Sequence, residues 1–265
     1  MTAREPHRHD AAAPSLEGRV QQSLKVHYPE SLSDFIPEAE WPVYDAVLER
    51  ASARGLRFAM SGGFTSSFYT AMWRNTKDMD LCVVPADREA MIEVTREAGL
   101  HDLYDEQPYD RRWIYRSTHD GIIVDIIWRL ANMQGDVDDA WVSHGPVITL
   151  HGREVRLVPS EEMIWSKIHV VQRTRCDWPD IINMLYATGA ALDWRRLIGR
   201  FRGDERLLSS VLLLFSWLAP GQAGTFPEWI WERLGIPRPH PGPLRDDDRI
   251  ARLDSRPWFS PLREP

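Results

Sequence analysis

The sequence predicts an α+β protein, in which a small mixed β-sheet with flanking helices is followed by a mostly helical C-terminal region. Segments with the alternating or apolar pattern of strands all lie before residue 158, whereas residues 159–219 carry helical patterns. The 265 residues suit one or two domains, and a content of 43% hydrophobic and 27% charged residues is ordinary for globular chains. No segment repeats with a period of roughly 20–50 residues, so a solenoid or propeller is excluded.

The individual elements follow from spacing and from the residues that end them. Pro42 suits the first turn of a helix and Gly55 suits a helix end, so we predict a helix over 42–54. Gly99 closes another helix in the same way, and a turn at 119–121 joins two strands into a hairpin. The predicted helices cover 42–54, 66–73 and 88–98, and the predicted strands cover 56–60, 78–84, 112–117, 122–129, 147–150 and 154–157.

Charge and cysteine content restrict the partners and the compartment. The chain has 32 Lys and Arg against 39 Asp and Glu, a net charge of −7, so it lacks the positive field that attracts nucleic acid or anionic membranes. Its two cysteines cannot form a disulfide framework. Residues 1–19 lack the apolar stretch of a signal peptide, and the apolar segment 207–219 is shorter than the roughly 20 residues of a membrane span. We therefore expect a reduced, cytoplasmic protein without a membrane partner.

Three aspartates stand in strand-like segments, where an unpaired charge is costly. Asp78 and Asp80 are two residues apart, so a strand directs both carboxylates to one face. Asp125 interrupts the apolar run 122–128 and adds a third carboxylate if the two strands are neighbours. Oxygen ligands suit Mg²⁺ or Mn²⁺, which bind through carboxylates, water and substrate phosphates. The sequence therefore predicts a metal site for a substrate that carries phosphate.

A glycine turn precedes these aspartates and leads into a helix. Gly62 and Gly63 have no Cβ, so their backbone amides can approach phosphate oxygens closely. The N-terminus of the following helix adds electrostatic attraction for an anion. A glycine pair alone is also the pattern of an ordinary tight turn, and its combination with the aspartates is what indicates a phosphate site.

Together these residues resemble the DNA polymerase β-like nucleotidyltransferase superfamily, over about residues 40–190. Its signature is a Gly-Gly or Gly-Ser turn, a helix, Asp-x-Asp on a strand, and a third Asp on a later strand. Here the signature reads SGGFT at 61–65, RNTKDMDL at 74–81 and VDI at 124–126. Segments 74–80 and 161–167 look most similar to the small prokaryotic stand-alone branch of antibiotic, antitoxin and abortive-infection nucleotidyltransferases.

The resemblance implies a nucleotidyltransferase fold and a metal-dependent transfer of a nucleoside monophosphate from an NTP to an acceptor hydroxyl, with release of pyrophosphate. Mg²⁺ or Mn²⁺ is the implied cofactor, bound by the catalytic residues Asp78, Asp80 and Asp125, of which Asp125 also helps to deprotonate the acceptor. A small molecule, an RNA end or a protein is compatible as the acceptor, and RNA or a toxin protein as a partner. The implied nucleotide-binding residues are Ser61, Gly62, Gly63, Thr65, Ser66, Lys77 and Lys167. Arg74 and Lys77 flank the acidic pair and are placed to neutralise pyrophosphate.

These assignments divide the chain into four parts. We predict a flexible leader at 1–35, a nucleotidyltransferase catalytic domain at 36–158, a helical region completing the site at 159–219 and an extended tail with a few docked aromatic residues at 220–265. The acidic run at 246–248 is interpreted as solvated, without a role in chemistry.

Two other functions remain open at this stage. A nucleotide-sensing or antitoxin protein with the same fold would keep the nucleotide site without turnover, although a buried acidic cluster without a cation would be a standing cost to stability. A hydrolase with two carboxylates, such as a glycosidase, needs only a suitable separation of its acids. This function gives no role to the glycine turn or to the Asp-x-Asp spacing.

Other charged and aromatic residues are expected to have mainly structural roles. Asp136, Asp138 and Asp139 are interpreted as a helix start rather than a calcium loop. A salt-bridge network is expected among Arg173, Arg175, Asp177 and Asp180. Candidates for a base-stacking platform are Trp73, Trp113, Trp128, Trp165 and Trp178, although core packing is expected for most of them.

Overall fold

The computed structural model describes residues 36–71, 76–240, 242 and 246–253. The predicted leader at 1–35 lies outside these residues, as do Trp73 and Arg74. Within them, the chain has the predicted α+β architecture, with a mixed sheet, a separate hairpin and flanking helices.

A five-stranded mixed sheet carries the predicted acidic residues. Its strands are β1 (Phe58–Met60), β2 (Asp78–Val83), β3 (His101–Asp102), β4 (Ile114–His119) and β5 (Ile122–Ile127). The spatial order is β1-β2-β5-β4-β3, in which β2 and β5 pair in parallel and the other neighbours pair antiparallel. The two strands that carry aspartates are therefore neighbours, and Asp80 pairs in register with Asp125.

Alternation along β2 separates a polar face of the sheet from an apolar one. Met79 and Leu81 are 1% and 0% exposed and point away from the aspartates. On β5, Val124 and Ile126 are fully buried on the same side. Burial of this apolar face fixes the register, because a slip by one residue would turn the carboxylates into the core.

Both predicted hairpins are present, and the turn of the first is one residue shorter than the predicted 119–121. Asp120 and Gly121, both with positive φ, connect β4 to β5. His151 and Gly152, also with positive φ, connect strands β6 (Val147–Leu150) and β7 (Arg153–Arg156) of a separate two-stranded sheet. Two-residue turns of this kind match the twist of the strands that they join.

Four helices accompany the strands, namely α1 (Trp41–Ala53), α2 (Gly62–Thr70), α3 (Arg88–Glu97) and α4 (Asp139–Ser143). Helix α1 is followed by Gly55, whose φ of +65° confirms the predicted helix end. The side chain of Asp138 accepts a hydrogen bond from the backbone nitrogen of Ala140 at 3.1 Å. The predicted helix start is therefore confirmed at Asp138 and Asp139, whereas Asp136 lies before the helix and pairs with Arg129.

Helix α2 begins four residues before the predicted start at residue 66. Ser61 has an extended backbone at the N-cap position, and the helix begins directly at Gly62. The sequence analysis assigned the two glycines to a turn, because glycine is a poor helix former. In the structure they are the first helical residues, at a place where a side chain would collide with Asp80 of β2 or with Thr76, which precedes that strand.

The region after the sheet is helical, as predicted for residues 159–218. It contains α5 (Ser160–Ile168), α6 (Trp178–Thr188), α7 (Trp194–Arg200) and α8 (Glu205–Leu218). The buried face of α8 includes Val211 and Phe215, both 0% exposed. None of the helices in the described ranges is long and apolar enough to cross a membrane.

Where the structure describes residues 220–265, they form short helices rather than the predicted extended chain, whereas the predicted docking of aromatic residues is confirmed. Three short helices occur there, α9 (Pro220–Ala223), α10 (Trp229–Leu234) and α11 (Asp246–Leu253), the last beginning at the acidic run. Phe226 stacks against both Phe215 and Trp231, with centroid distances of 5.4 and 6.2 Å. Aromatic packing against α8 therefore outweighs the proline and glycine content on which the prediction rested.

Candidate active site

The carboxylates of Asp78, Asp80 and Asp125 converge on one face of the sheet. Asp78 and Asp80 are alternate residues of β2, and Asp125 lies beside Asp80 on β5. One oxygen from each carboxylate lies within 4.8 Å of the other two. Asp125 is 2% exposed, whereas Asp78 and Asp80 are partly exposed. Three oxygen donors at this spacing suit a divalent cation that prefers oxygen ligands.

Arg116 contacts two of these carboxylates and was not among the residues predicted from the sequence. It lies on β4 as the register partner of Asp125. Its Nε donates to both oxygens of Asp125, at 2.9 and 3.0 Å, and its Nη2 donates to Oδ2 of Asp78 at 3.2 Å. The observed turn at Asp120 and Gly121 is one residue shorter than the predicted turn at 119–121, and this shorter turn is what pairs Arg116 with Asp125.

The crowding of like charges changes the proton affinity of the cluster. Burial raises the pKa of the Asp80 carboxyl well above its usual range, and the charges of Asp78 and Asp125 raise it further. Burial also raises the pKa of Asp125 to about 6, against the opposing effect of the hydrogen bonds from Arg116. The folded protein thus holds acidic groups that gain from a cation beside them.

The glycine turn lies against the acidic cluster. Gly62 has a φ of +61°, and a Cβ there would lie 1.7 Å from Oδ2 of Asp80. A Cβ on Gly63 would lie 2.6 Å from Oγ1 and Cβ of Thr76. The backbone nitrogen of Ser61 donates to the backbone oxygen of Asp80 at 2.9 Å, which ties the start of α2 to β2. The N-terminus of α2 is therefore held directly beside the carboxylates, with no side chain between them.

A cleft of about 460 Å³ opens over this arrangement. Its walls include the acidic cluster, Arg116 and the predicted residues Ser61, Gly62, Gly63 and Lys167. The volume lies in the range of roughly 300–1,000 Å³ that is typical of small-molecule sites. Residues from β2, β4, β5, α2 and α5 thus meet in one cavity, although they are far apart in the sequence.

Lys167 closes one side of the cleft from the last turn of α5. Its Nζ is 3.3 Å from Oδ2 of Asp177 and 2.9 Å from Oδ2 of Asp180. Arg175 donates two hydrogen bonds of 2.9 Å to Asp177 and also lines the cleft. The predicted network among Arg175, Asp177 and Asp180 is confirmed and includes Lys167, whereas Arg173 makes no ion pair with any described residue.

Three predicted nucleotide-binding residues do not line the cleft. Thr65 is 0% exposed, and its Oγ1 donates to the backbone oxygen of Met60 at 2.7 Å, so its hydroxyl is used within the fold. Ser66 is buried one helical turn after Gly62. Lys77 is exposed outside the cleft. The early start of α2 explains the first two corrections, because residues 65 and 66 lie in the body of the helix rather than in its first turn.

Of the four described tryptophans proposed for base stacking, Trp113 fits that position best. It is partly exposed and lines the cleft together with Tyr109. Trp128 and Trp165 are 4% and 7% exposed, as expected for core packing. Trp178 donates from Nε1 to the backbone oxygen of Ile168 at 3.1 Å, which joins α6 to α5.

No protein-family model matches the chain, and no curated protein matches it. Several solved structures are similar to it. The solution structure of the antibiotic-resistance factor ANT(2″)-Ia is 17% identical, with 63% of this chain and 94% of that chain covered and a TM-score of 0.45. The lincomycin-bound lincosamide antibiotic adenylyltransferase LnuA is 14% identical, with 56% and 96% covered and a TM-score of 0.40.

JHP933 from Helicobacter pylori is also similar, with 14% identity, coverage of 69% of this chain and 82% of that chain, and a TM-score of 0.36. At identities of 14–17% these similarities concern the fold alone.

Proposed function

We propose that this protein is a metal-dependent nucleotidyltransferase, which moves a nucleoside monophosphate from an NTP to an acceptor hydroxyl and releases pyrophosphate. The observation that carries the proposal is the position of the acidic cluster beside the N-terminus of α2. Three carboxylate oxygens within 4.8 Å of one another lie next to a glycine turn that has no room for a side chain. Carboxylates attract a divalent cation, and the exposed amides of a helix N-terminus attract phosphate.

The donor set fits Mg²⁺ or Mn²⁺ better than a softer metal. Asp78, Asp80 and Asp125 offer only oxygen atoms, and the residues described give the Asp80 carboxylate no hydrogen bond or ion pair. We assign these three residues as the ligands. When bound there, the metal supplies electrostatic stabilisation of the charge on the transferring phosphoryl group.

The remaining residues of the cleft bind and orient the two substrates. The backbone amides of Gly62 and Gly63, at the N-terminus of α2, bind the terminal phosphates of the NTP, with Ser61 beside them. Lys167 and Arg175 also line the cleft, where Asp177 and Asp180 hold their side chains in place. Trp113 offers an aromatic face for the base.

Asp125 is the residue that we assign to the proton of the acceptor hydroxyl. It lies beside Asp80 in the register, so an acceptor oxygen near these two residues is also close to the phosphate site.

The proposal is tested with α-labelled NTPs, Mg²⁺ or Mn²⁺, and a cell extract as the source of acceptor. Pyrophosphate release with label on a small molecule, on RNA or on protein supports the transferase and identifies its acceptor class. Stabilisation by NTP without any labelled product would instead support a nucleotide-sensing or antitoxin protein. The control is the double variant Asp78→Asn with Asp80→Asn, and turnover by that variant would contradict the proposed mechanism.

A further inference from the structure

The guanidinium of Arg116 occupies the carboxylate oxygens that a metal ion would need. Its Nε is hydrogen-bonded to both oxygens of Asp125, and its Nη2 reaches Oδ2 of Asp78. The side chain is 26% exposed, and the Asp125 carboxylate is 3% exposed. One arginine therefore bridges two members of the acidic cluster from the neighbouring strand.

The other positively charged residues of the cleft discussed above pair with carboxylates outside the cluster. Lys167 also lines the cleft, but its ammonium is paired with Asp177 and Asp180. Arg175 is paired with Asp177. Among the described residues, Arg116 is thus the cation in direct contact with the cluster, where it offsets the repulsion between buried carboxylates.

We infer that Arg116 is an exchangeable counter-cation, which stabilises the metal-free cluster and gives up Asp125 and Asp78 when a divalent ion binds. The two cations compete because they need the same oxygens and repel each other at short range. By linkage, the free energy of the Arg116 contacts that metal binding breaks is subtracted from the free energy of metal binding. The inference rests on the metal site of the proposed function.

The released guanidinium remains in the cleft, because its backbone is fixed in β4 by the register with β5. Gly62 and Gly63 line the same cavity. A planar guanidinium binds phosphate oxygens with paired hydrogen bonds, so a free Arg116 is available to a phosphate-bearing substrate after metal has bound. Binding of metal therefore frees the Arg116 guanidinium, which can then bind a phosphate group of the substrate.

The first test measures Mn²⁺ affinity by calorimetry on the full chain without nucleotide. We expect Arg116→Gln to bind Mn²⁺ about tenfold more tightly than the wild type, because the competing charge is gone. The matched control is Arg129→Gln, which also removes a positive charge from the cleft wall, but from a residue paired with Asp136 outside the cluster. The control should change the affinity by less than about twofold, since its charge is not in contact with the ligands.

Two results separate this inference from the proposed function. Absence of Mn²⁺ binding in both the wild type and Arg116→Gln would overturn the metal site, and the inference with it. Mn²⁺ binding by the wild type with equal or weaker affinity in Arg116→Gln would overturn the counter-cation alone and leave the metal site in place.

A second measurement uses the unaltered protein, in case Arg116→Gln does not fold. Phenylglyoxal modifies accessible guanidinium groups, and mass spectrometry follows the rate at each arginine. We expect Mn²⁺ to increase the modification rate of Arg116 several-fold and to leave that of Arg129 unchanged, because metal displaces only the first from its carboxylates. An Arg116 rate that Mn²⁺ leaves unchanged or lowers would overturn the exchange.

Discussion

Gly62 lies so close to Asp80 that a Cβ on the glycine would be 1.7 Å from the Oδ2 of the aspartate. The contact joins the first residue of α2 to the second acidic residue of β2. It brings a backbone that can bind anions and a carboxylate that can bind cations to the same place. A ligand that carries a metal ion on a phosphate group satisfies both at once.

The first prediction concerns Gly62→Ala. The new methyl group must push either the Asp80 carboxylate or the start of α2 aside, so we expect loss of Mn²⁺ binding and of any nucleotidyl transfer. The matched control is Gly55→Ala, because Gly55 has a similar φ of +65° but nothing within 4 Å of an added Cβ. The control carries only the backbone strain, about 1 kcal/mol of unfolding free energy, and should retain metal binding. Normal Mn²⁺ affinity in Gly62→Ala would contradict the close approach.

The second prediction concerns the pH dependence of stability in EDTA. A carboxyl whose pKa is raised by folding stabilises the folded state below its unfolded pKa, about 3.9, and that contribution is lost as the pH rises through the folded pKa. Burial and the neighbouring carboxylates raise the pKa of Asp80 well above its usual range. Asp80→Asn should therefore be more stable than the wild type at neutral pH, with an advantage that shrinks towards pH 4. Urea unfolding across this range measures the difference.

Mn²⁺ should reverse that order at neutral pH, because the wild type gains binding energy that Asp80→Asn has lost. The control is Asp110→Asn, since hydrogen bonds from Arg112 lower the pKa of this exposed carboxyl to about 2. The stability difference between the wild type and Asp110→Asn should have the opposite pH dependence. A carboxyl whose pKa is lowered by folding stabilises the folded state above its unfolded pKa, and that contribution is lost as the pH falls through the folded pKa. A wild type that is more stable than Asp80→Asn in EDTA at pH 7 would exclude repulsion within the cluster.

The acidic cluster could be predicted because it follows from the spacing of residues that are close in the sequence. Two aspartates on alternate residues of a strand must share a face, and an aspartate in an apolar run must find a partner in the fold. The parallel pairing that puts Asp80 beside Asp125 is a long-range property, which the sequence indicates only through the resemblance. Prediction of the Arg116 contact also requires the register of the β4–β5 hairpin, which places Arg116 opposite Asp125.

The errors of the sequence analysis share a physical cause. Glycine has low helix propensity, so the first residues of α2 are predicted to form a turn. Proline interrupts helices, so the segment after residue 220 is predicted to be extended. In both places tertiary contacts decide the structure. Gly62 fits against Asp80 only because it lacks a side chain, and Phe226 and Trp231 pack on one another beside α8.

The third prediction concerns base recognition by Trp113. If this side chain stacks on the base of the NTP, Trp113→Ala should lose roughly 1–3 kcal/mol of nucleotide binding. We expect a higher KM for NTP with a smaller change in kcat, and weaker quenching of tryptophan fluorescence by nucleotide. The control is Trp217→Ala, because Trp217 is 38% exposed on α8 and does not line the cleft. Equal nucleotide affinity in both variants would place the base elsewhere.

The fourth prediction concerns Glu162, which holds α5 against α7. Its carboxylate is 0% exposed and accepts hydrogen bonds from Arg196 at 2.7 Å and from Arg200 at 2.9 and 3.2 Å. Glu162→Gln leaves two arginines short of a buried charge partner, and removal of one member of a buried ion pair costs about 3–5 kcal/mol. We expect the lower end of that range, because Arg196 keeps Glu161 and Arg200 keeps Asp138.

The matched control for this prediction is Glu228→Gln, which removes the same charge from an exposed pair with Arg238. Surface pairs contribute about 0–1 kcal/mol, so urea unfolding should distinguish the two variants clearly. Lys167 lies on the same helix as Glu162, on the side that faces the cleft. A destabilised α5 should therefore also weaken nucleotide binding, and full stability of Glu162→Gln would mean that the apolar contacts of α5 alone hold it in place.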